Sequence, residues 1–242
     1  SKGIKPIAGA EINHVRDSSS HNEHANLTLI AKNKLGYKNL IKLISKSQIA
    51  GKTSGIPVIE TEWLAEHSDG LIALSGGFRG HIGKAVLDTN HDLFLKRIKY
   101  FQKIFKEDFI LEISRINRPQ EDIYNDYILS KAGELGLPVV ASNEVRFIDK
   151  EDYEAHETRV CIQKGEVLSD TRRTRRYFED QYFLSPEEMH EKFKDIPEVL
   201  SNAYELGKKC NLEIETGIYV LPDFKTPLNK SCLLYTSDAA DD

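Results

Sequence analysis

Short continuous apolar runs alternate with stretches of helical period along most of this chain. That alternation constrains its fold more than any other feature. "GLIALSGG" (70–77), "DFILEIS" (108–114) and "PVVASNE" (138–144) read as strands. Between them, "LFLKRIKYFQKIF" sets Leu93, Ile98, Phe101, Ile104 and Phe105 largely on one stripe, and "PQEDIYNDYILSKAGELG" opens with Pro119 and acidic residues and closes at Gly136, the punctuation of a helix. Upstream, "KPIAGAEI" is a short strand ending at Glu11, and a second strand is centred on Leu27 to Ala31. "GYKNLIKLISKS" follows with Leu40, Leu43, Ile44 and Ser47 at helical spacing. Downstream, "SPEEMHEKF" and "PEVLSNAYELGKKC" are helical, with Ser185 or Asp195 as caps. Repeated βα units with unbroken apolar strands imply a mainly parallel sheet or barrel with helices outside.

The chain has 242 residues, enough for one large or two small domains with a sizeable core. A net charge of −5 excludes a protein whose whole surface grips nucleic acid, while leaving room for a local basic patch. The three cysteines, Cys161, Cys210 and Cys232, are far apart and contain no CxxC pair, so neither a disulfide framework nor a zinc site is indicated. No run has the ~18 to 20 apolar residues of a membrane span, and a cytoplasmic location is expected. The chain begins at "SKGIKPIAGAEI" almost directly on a strand, so further material is expected upstream. "SCLLYTSDAADD" (231–242) breaks from the preceding pattern, resembles translated adapter read-through, and is expected to be a non-native tail.

Several positions invite chemistry. In α/β proteins functional groups gather just past the carboxyl ends of strands, and the strand at Val139 ends in the polar tip Ser142-Asn143-Glu144-Val145-Arg146. Glu11 also ends a strand, a place for a ligand or base and equally for a residue that caps the next turn. His14, His21 and His24 fall in what reads as a polar, solvated loop, at no standard zinc spacing. "SGGFRGHIGKAV" matches neither phosphate-loop pattern and is better read as a tight strand-to-helix turn. Arg172, Arg173, Arg175 and Arg176 in "RRTRRYF" are candidates for nucleic-acid phosphate contacts, though an exposed loop run is the simpler reading. No Ser/His/Asp or Cys/His nucleophile arrangement follows from spacing.

A resemblance carries the reading further. "GIKPIAGAEI", "LTLIAKNKLGYKNLIKLIS", "GLIALSGG", "LPVVASNEVRFIDKEDYEAHE" and "EEMHEKFKDIPEVLSNAYELGKKCNLEI" occur in that order between about Gly3 and Lys230. Together they resemble the amino-terminal PHP (polymerase and histidinol phosphatase) domain of the bacterial replicative DNA polymerase III alpha-subunit family. The resemblance implies an incomplete, distorted (β/α)7 barrel over residues 1–210, with its first strands lying upstream. It also implies an extended exit over 211–230 towards a polymerase palm. Active domains of the family hydrolyse phosphoesters with metals held at the strand tips. Carried over by position, Glu11 matches a family ligand, Asn26 stands where a histidine is expected, and Gly77 stands where a cysteine is expected. Glu144-Val145-Arg146 stands in place of Asp-x-His. Arginine has no lone pair to offer a metal. The resemblance therefore implies a degenerate metal site without catalytic residues, with Arg146 pairing Glu144 or Glu11. It further implies a platform for the proofreading epsilon exonuclease and other replisome subunits. The parent polymerase would be a Mg2+-dependent nucleotidyltransferase acting on DNA. The alternative is a metal-dependent phosphoesterase or 3′–5′ exonuclease on the same barrel. A free-standing histidinol-phosphatase-like enzyme is disfavoured by the polymerase-type segment "DIPEVLSNAYELGKKCNLEIETGIYVLPDF".

Overall fold

A computed structural model describes residues 3–15, 24–53, 55–214 and 217. His21, Cys232, the tail 231–242 and most of the expected exit segment 211–230 lie outside the described residues. The elements in chain order begin with β1 (Gly9–Val15), β2 (Ala25–Ala31), α1 (Lys34–Ile49), β3 (Lys52–Thr53), β4 (Ile56–Pro57), β5 (Ile59–Glu60) and α2 (Thr61–Glu66). They continue with β6 (Leu71–Leu74), α3 (His81–Leu87), α4 (His91–Phe105), β7 (Phe109–Ser114), α5 (Glu121–Leu135), β8 (Val139–Ser142), α6 (Tyr153–Lys164), α7 (Pro186–Lys192) and α8 (Glu198–Lys209).

The main sheet has six strands in the order β5-β1-β2-β6-β7-β8. It is mixed rather than mainly parallel: β2 runs antiparallel to both β1 and β6, whereas β1/β5, β6/β7 and β7/β8 are parallel. Among the described residues the sheet does not close. The central strands β6 and β7 are buried at every position, because both faces are covered. On one face, residues such as Leu27, Leu71, Phe109 and Val139 join a large core with α1, α3, α4 and α5. On the other, Ile72, Leu74, Ile110 and Val140 pack against Leu206 and Cys210 at the end of α8. Burial on both faces is what produces unbroken apolar strands in the sequence.

Local chemistry sets the element ends. Ser185 caps α7 with a reciprocal Ser185/Glu188 box, as its position before Pro186 predicts. Asp195 does not cap α8. Pro197 holds that place, and Asp195 is drawn instead into a two-pronged pair with Arg115, at 2.6 and 2.7 Å. Past α8 the chain is still packed: Leu212 is buried and the Asn211 N–H donates to the Lys32 carbonyl at 2.6 Å. Among the described residues no helix is long and apolar enough to cross a membrane.

Candidate functional site

The carboxyl ends of β1, β6, β7 and β8 and the amino end of β2 share one rim of the sheet. The side chains that meet there come from the face opposite the large core. On β7, Ile110 faces α8 and period-two alternation carries Glu112 onto the same face. Across the parallel ladder Glu112 lies opposite Val140, with Ser142 one pleat further. On β1, Glu11 sits opposite Thr28, diagonal to Asn26, and the Asn26 Nδ2 donates to the Glu11 Oε1 at 2.7 Å. Diagonal neighbours on an antiparallel pair are within reach of such side chains.

The β6–α3 turn supplies Gly76 and Gly77. Gly76 takes φ 76°, and a Cβ there would come within 2.1 Å of the Asn26 carbonyl oxygen, so only glycine lets the two segments approach. Gly77, at φ 55°, has more room: a Cβ would meet Glu112 Cγ at 3.9 Å. The position that the resemblance assigns to a ligand thus faces the site, with no side chain to offer.

Two arginines close this rim. Arg118, in the loop before α5, donates through Nη2 to Glu144 Oε2 at 2.7 Å, with side-chain exposures of 6% and 15%. Its guanidinium also lies over the rings of Phe78 and Phe178. Arg146 reaches Glu11 Oε2 at 3.6 Å, and that pair is much wetter, at 29% and 47%. Of the two carboxylates expected as partners for Arg146, the structure selects Glu11. The strand ends at Ser142 and Glu144 adopts φ 45°, which breaks the alternation that would have set Glu144 and Arg146 on one face. The segment 180–182 holds this turn: Asn143 Nδ2 donates to the Asp180 and Tyr182 carbonyls, and Gln181 Nε2 to the Glu144 carbonyl.

Glu112 is the residue that sequence reasoning missed. It is buried, and burial pushes its carboxyl up to about 7, with the charges of Glu144 and Glu11 adding to the rise. The Gly76 backbone N–H works in the opposite direction. So does the nearby Ser142 hydroxyl, although it makes no hydrogen bond of good geometry. A signal was present: Glu112 is the one charged residue inside the apolar run "FILEIS", and a charge in a fully buried strand needs a special environment. Arg118 carried no such signal. Among the described residues, no group of three or more His, Cys, Asp or Glu side chains converges so as to hold a metal ion.

Other expected positions fall elsewhere. His14 is not in a solvated loop. Pairing of β1 with β2 continues to His14 opposite Ala25, which carries the strand past Glu11. Alternation then buries His14 against the His81 and Phe101 rings, at 5.1 and 5.6 Å. The glycine-rich stretch is a strand-to-helix turn, as read. The arginine run divides: Arg172 is exposed beside Asp170, whereas Arg173 turns inward to Glu157 at 2.6 Å, with side-chain exposures of 6% and 3%. Arg175 and Arg176 are exposed.

Comparison with known proteins finds relatives for most of the chain. A family model described as the PHP domain matches residues 1–116. The chain is 45% identical over 224 residues to the DNA polymerase III subunit alpha of Vibrio cholerae, and 43% identical over 225 residues to that of Pseudomonas aeruginosa. It is 44% identical over 224 residues to that of Escherichia coli (strain K12). Each match covers 93% of this chain but 19% of the relative, so the chain spans about a fifth of the length of these curated relatives. Residues 1–116 of the chain therefore belong to the PHP domain family, and nearly the whole chain is similar to one part of DNA polymerase III subunit alpha.

Proposed function

We infer that this chain is the PHP portion of the alpha subunit of a bacterial replicative DNA polymerase III, acting in the cytoplasm, and that this portion is a platform rather than a hydrolase. The observation that carries the second half is the arginine pairing at the strand tips. Metal chemistry at this rim would need converging lone pairs. Instead, Asn26 turns its donor N–H towards Glu11, Gly77 contributes no side chain, and Arg146 and Arg118 supply fixed cations to Glu11 and Glu144. Among the described residues the donor set does not fit a metal cluster. Fixed cations do what metals would otherwise do for the fold, keeping neighbouring carboxylates from repelling one another.

A docking role has its own support. Ile148 and Phe183, each 71% exposed, lie side by side, joined by the Phe183 N–H to the Ile148 carbonyl at 3.1 Å. They border a groove of about 910 Å³ with Leu184, Pro186 and Met189. Paired exposed apolar side chains beside a groove are a partner-binding feature. The partner that fits the polymerase reading is the proofreading epsilon subunit, with other replisome subunits contacting the rest of the alpha chain. Nucleotidyl transfer on DNA, with its Mg2+, would belong to the palm of that longer protein.

Elemental analysis and a primer-trimming assay on the purified chain test the first claim. The expected result is sub-stoichiometric zinc and manganese and no trimming. Stoichiometric metal together with trimming lost in Glu11→Ala would overturn it. Titration with the epsilon subunit tests the second: binding should weaken in Ile148→Asp and Phe183→Asp, and unchanged binding in both would remove this groove from the interface.

A further inference from the structure

Helix α1 carries Lys34, Lys38, Lys42 and Lys46 at a constant spacing of four, and none of its 16 residues is acidic. Residues four apart are neighbours on a helix surface, so the pairs 34/38, 38/42 and 42/46 each set like charges side by side, which disfavours the helix. The first turn holds Lys34 and no carboxylate, the wrong sign for the positive end of the helix dipole. The fold relieves little of this. Lys46 lies 4.0 Å from Glu66 and over the Trp63 ring. Among the described residues, Lys38 and Lys42 have no carboxylate within ion-pair distance.

The same face is partly apolar. Gly36, Leu40, Leu43 and Ser47 are buried on the side of α1 that packs on the sheet. The helical period puts Lys38, Ile41, Lys42, Ser45 and Ile49 on the opposite side, and all five are exposed, Ile41 at 46% and Ile49 at 85%. Unmatched ammonium groups call for an anionic partner, and the isoleucines call for apolar side chains to cover them. A phosphate backbone meets only the first need. A membrane surface takes a broad apolar face with aromatic anchors, whereas this face has two isoleucines, eight positions apart, and no aromatic residue. Two copies of the chain cannot pair through it, because α1 has no carboxylate to offer the lysines of its twin. A protein segment that mixes carboxylates with aliphatic side chains meets both needs.

We propose that the outward face of α1 docks an acidic amphipathic helix of a partner protein. That helix lies along α1 with its aliphatic side chains on Ile41 and Ile49 and its carboxylates on Lys38 and Lys42, as flanking charges lie beside a coiled-coil seam. About four turns of partner helix match the length of α1. Docking then removes the like-charge crowding that α1 carries alone. The face shares no residue with the strand-tip rim or the Ile148/Phe183 groove, so the proposal stands whether or not the platform reading does.

Fluorescence anisotropy with the whole chain tests it, using a labelled peptide of about 15 residues with leucine at helical spacing and glutamate between. One control peptide has lysine in place of glutamate, and a second has serine in place of leucine. The acidic leucine peptide should bind about tenfold more tightly than either control. Lys38→Glu/Lys42→Glu should weaken its binding about tenfold and flatten the salt dependence. Ile41→Ser should weaken it about fivefold and leave the salt dependence unchanged. In the free chain, Lys38→Glu alone should raise the melting temperature, because it turns two like-charge pairs into attractive ones. Equal binding of the three peptides, wild-type affinity in either binding variant, or a fall in the melting temperature of Lys38→Glu would each overturn the proposal. So would phosphatidylserine vesicles or an oligonucleotide that bind this face more tightly than the peptide and lose that binding in Lys38→Glu/Lys42→Glu.

Discussion

The strand-tip rim and α6 each hold a glutamate gripped by an arginine, Glu144 by Arg118 and Glu157 by Arg173, yet the two carboxylates sit at different depths. At the rim, Glu144 is held by Arg118, and the two oxygens of Glu11 go to Asn26 and Arg146. Glu112 escapes repulsion by holding its proton up to about pH 7. On α6, Arg173 satisfies one oxygen of Glu157, and the other is buried without a hydrogen-bond partner. The two ion pairs are almost equally short, so pairing strength does not separate the regions. Depth does: Glu144 keeps 15% side-chain exposure and Glu157 3%, and each region leaves buried polar atoms unmatched, Ser142 Oγ and Asn143 Oδ1 at the rim and Glu157 Oε1 on α6.

The largest test of the contrast is Arg118→Ala. Removing one member of a dry pair leaves the other charge buried, with a cost of about 3–5 kcal/mol. Urea denaturation should show that loss, and a change under about 1 kcal/mol would mean that water reaches Glu144 as it reaches an open rim.

Next comes Glu112. Its carboxyl holds a proton more tightly folded (about 7) than at the ordinary value of 4.5. Its contribution therefore favours the fold fully below pH 4.5 and is lost as pH rises through 7. Glu112→Gln keeps a neutral side chain at every pH. Relative to wild type, it should gain roughly 3 kcal/mol between pH 4 and pH 8. Parallel denaturation curves at the two pH values check this, and an equal difference at both would show that Glu112 ionises as freely as a surface carboxylate.

A smaller effect is expected at Tyr124, whose buried hydroxyl donates to the Glu112 carbonyl at 2.7 Å. Tyr124→Phe removes that bond without opening a large cavity and should cost about 1 kcal/mol by thermal or chemical melting. No loss would show that the backbone of β7 is held by the ladder alone.

The smallest is Arg146→Ala. The Arg146–Glu11 pair is long and well solvated, so its loss should cost at most about 1 kcal/mol and shrink further in high salt. A cost comparable to that of Arg118→Ala would make the two arginines equal partners at the rim.

Much of this architecture was legible from local pattern. The strands at β2, β6, β7 and β8 and the helices α1, α4, α5, α7 and α8 follow from runs, periods and caps, since each signal lies within a few residues of the structure it specifies. Glu11, Asn26, Gly77, Glu144 and Arg146 could be assigned to one rim because a family resemblance places strand ends even where contacts are unknown. Short elements escaped: β5 has two residues and α2 has six, too few to display a period. What only the tertiary structure decided is who partners whom. The antiparallel reversal of β2 depends on long-range pairing. Arg118 is 26 positions from Glu144 and Arg115 is 80 from Asp195, and no local propensity reports on either. His14 and Arg173 both read as solvated residues and are buried, because burial depends on what packs over a side chain rather than on its neighbours in the chain. Sequence determines which faces are apolar, and packing determines which charges must meet where those faces end.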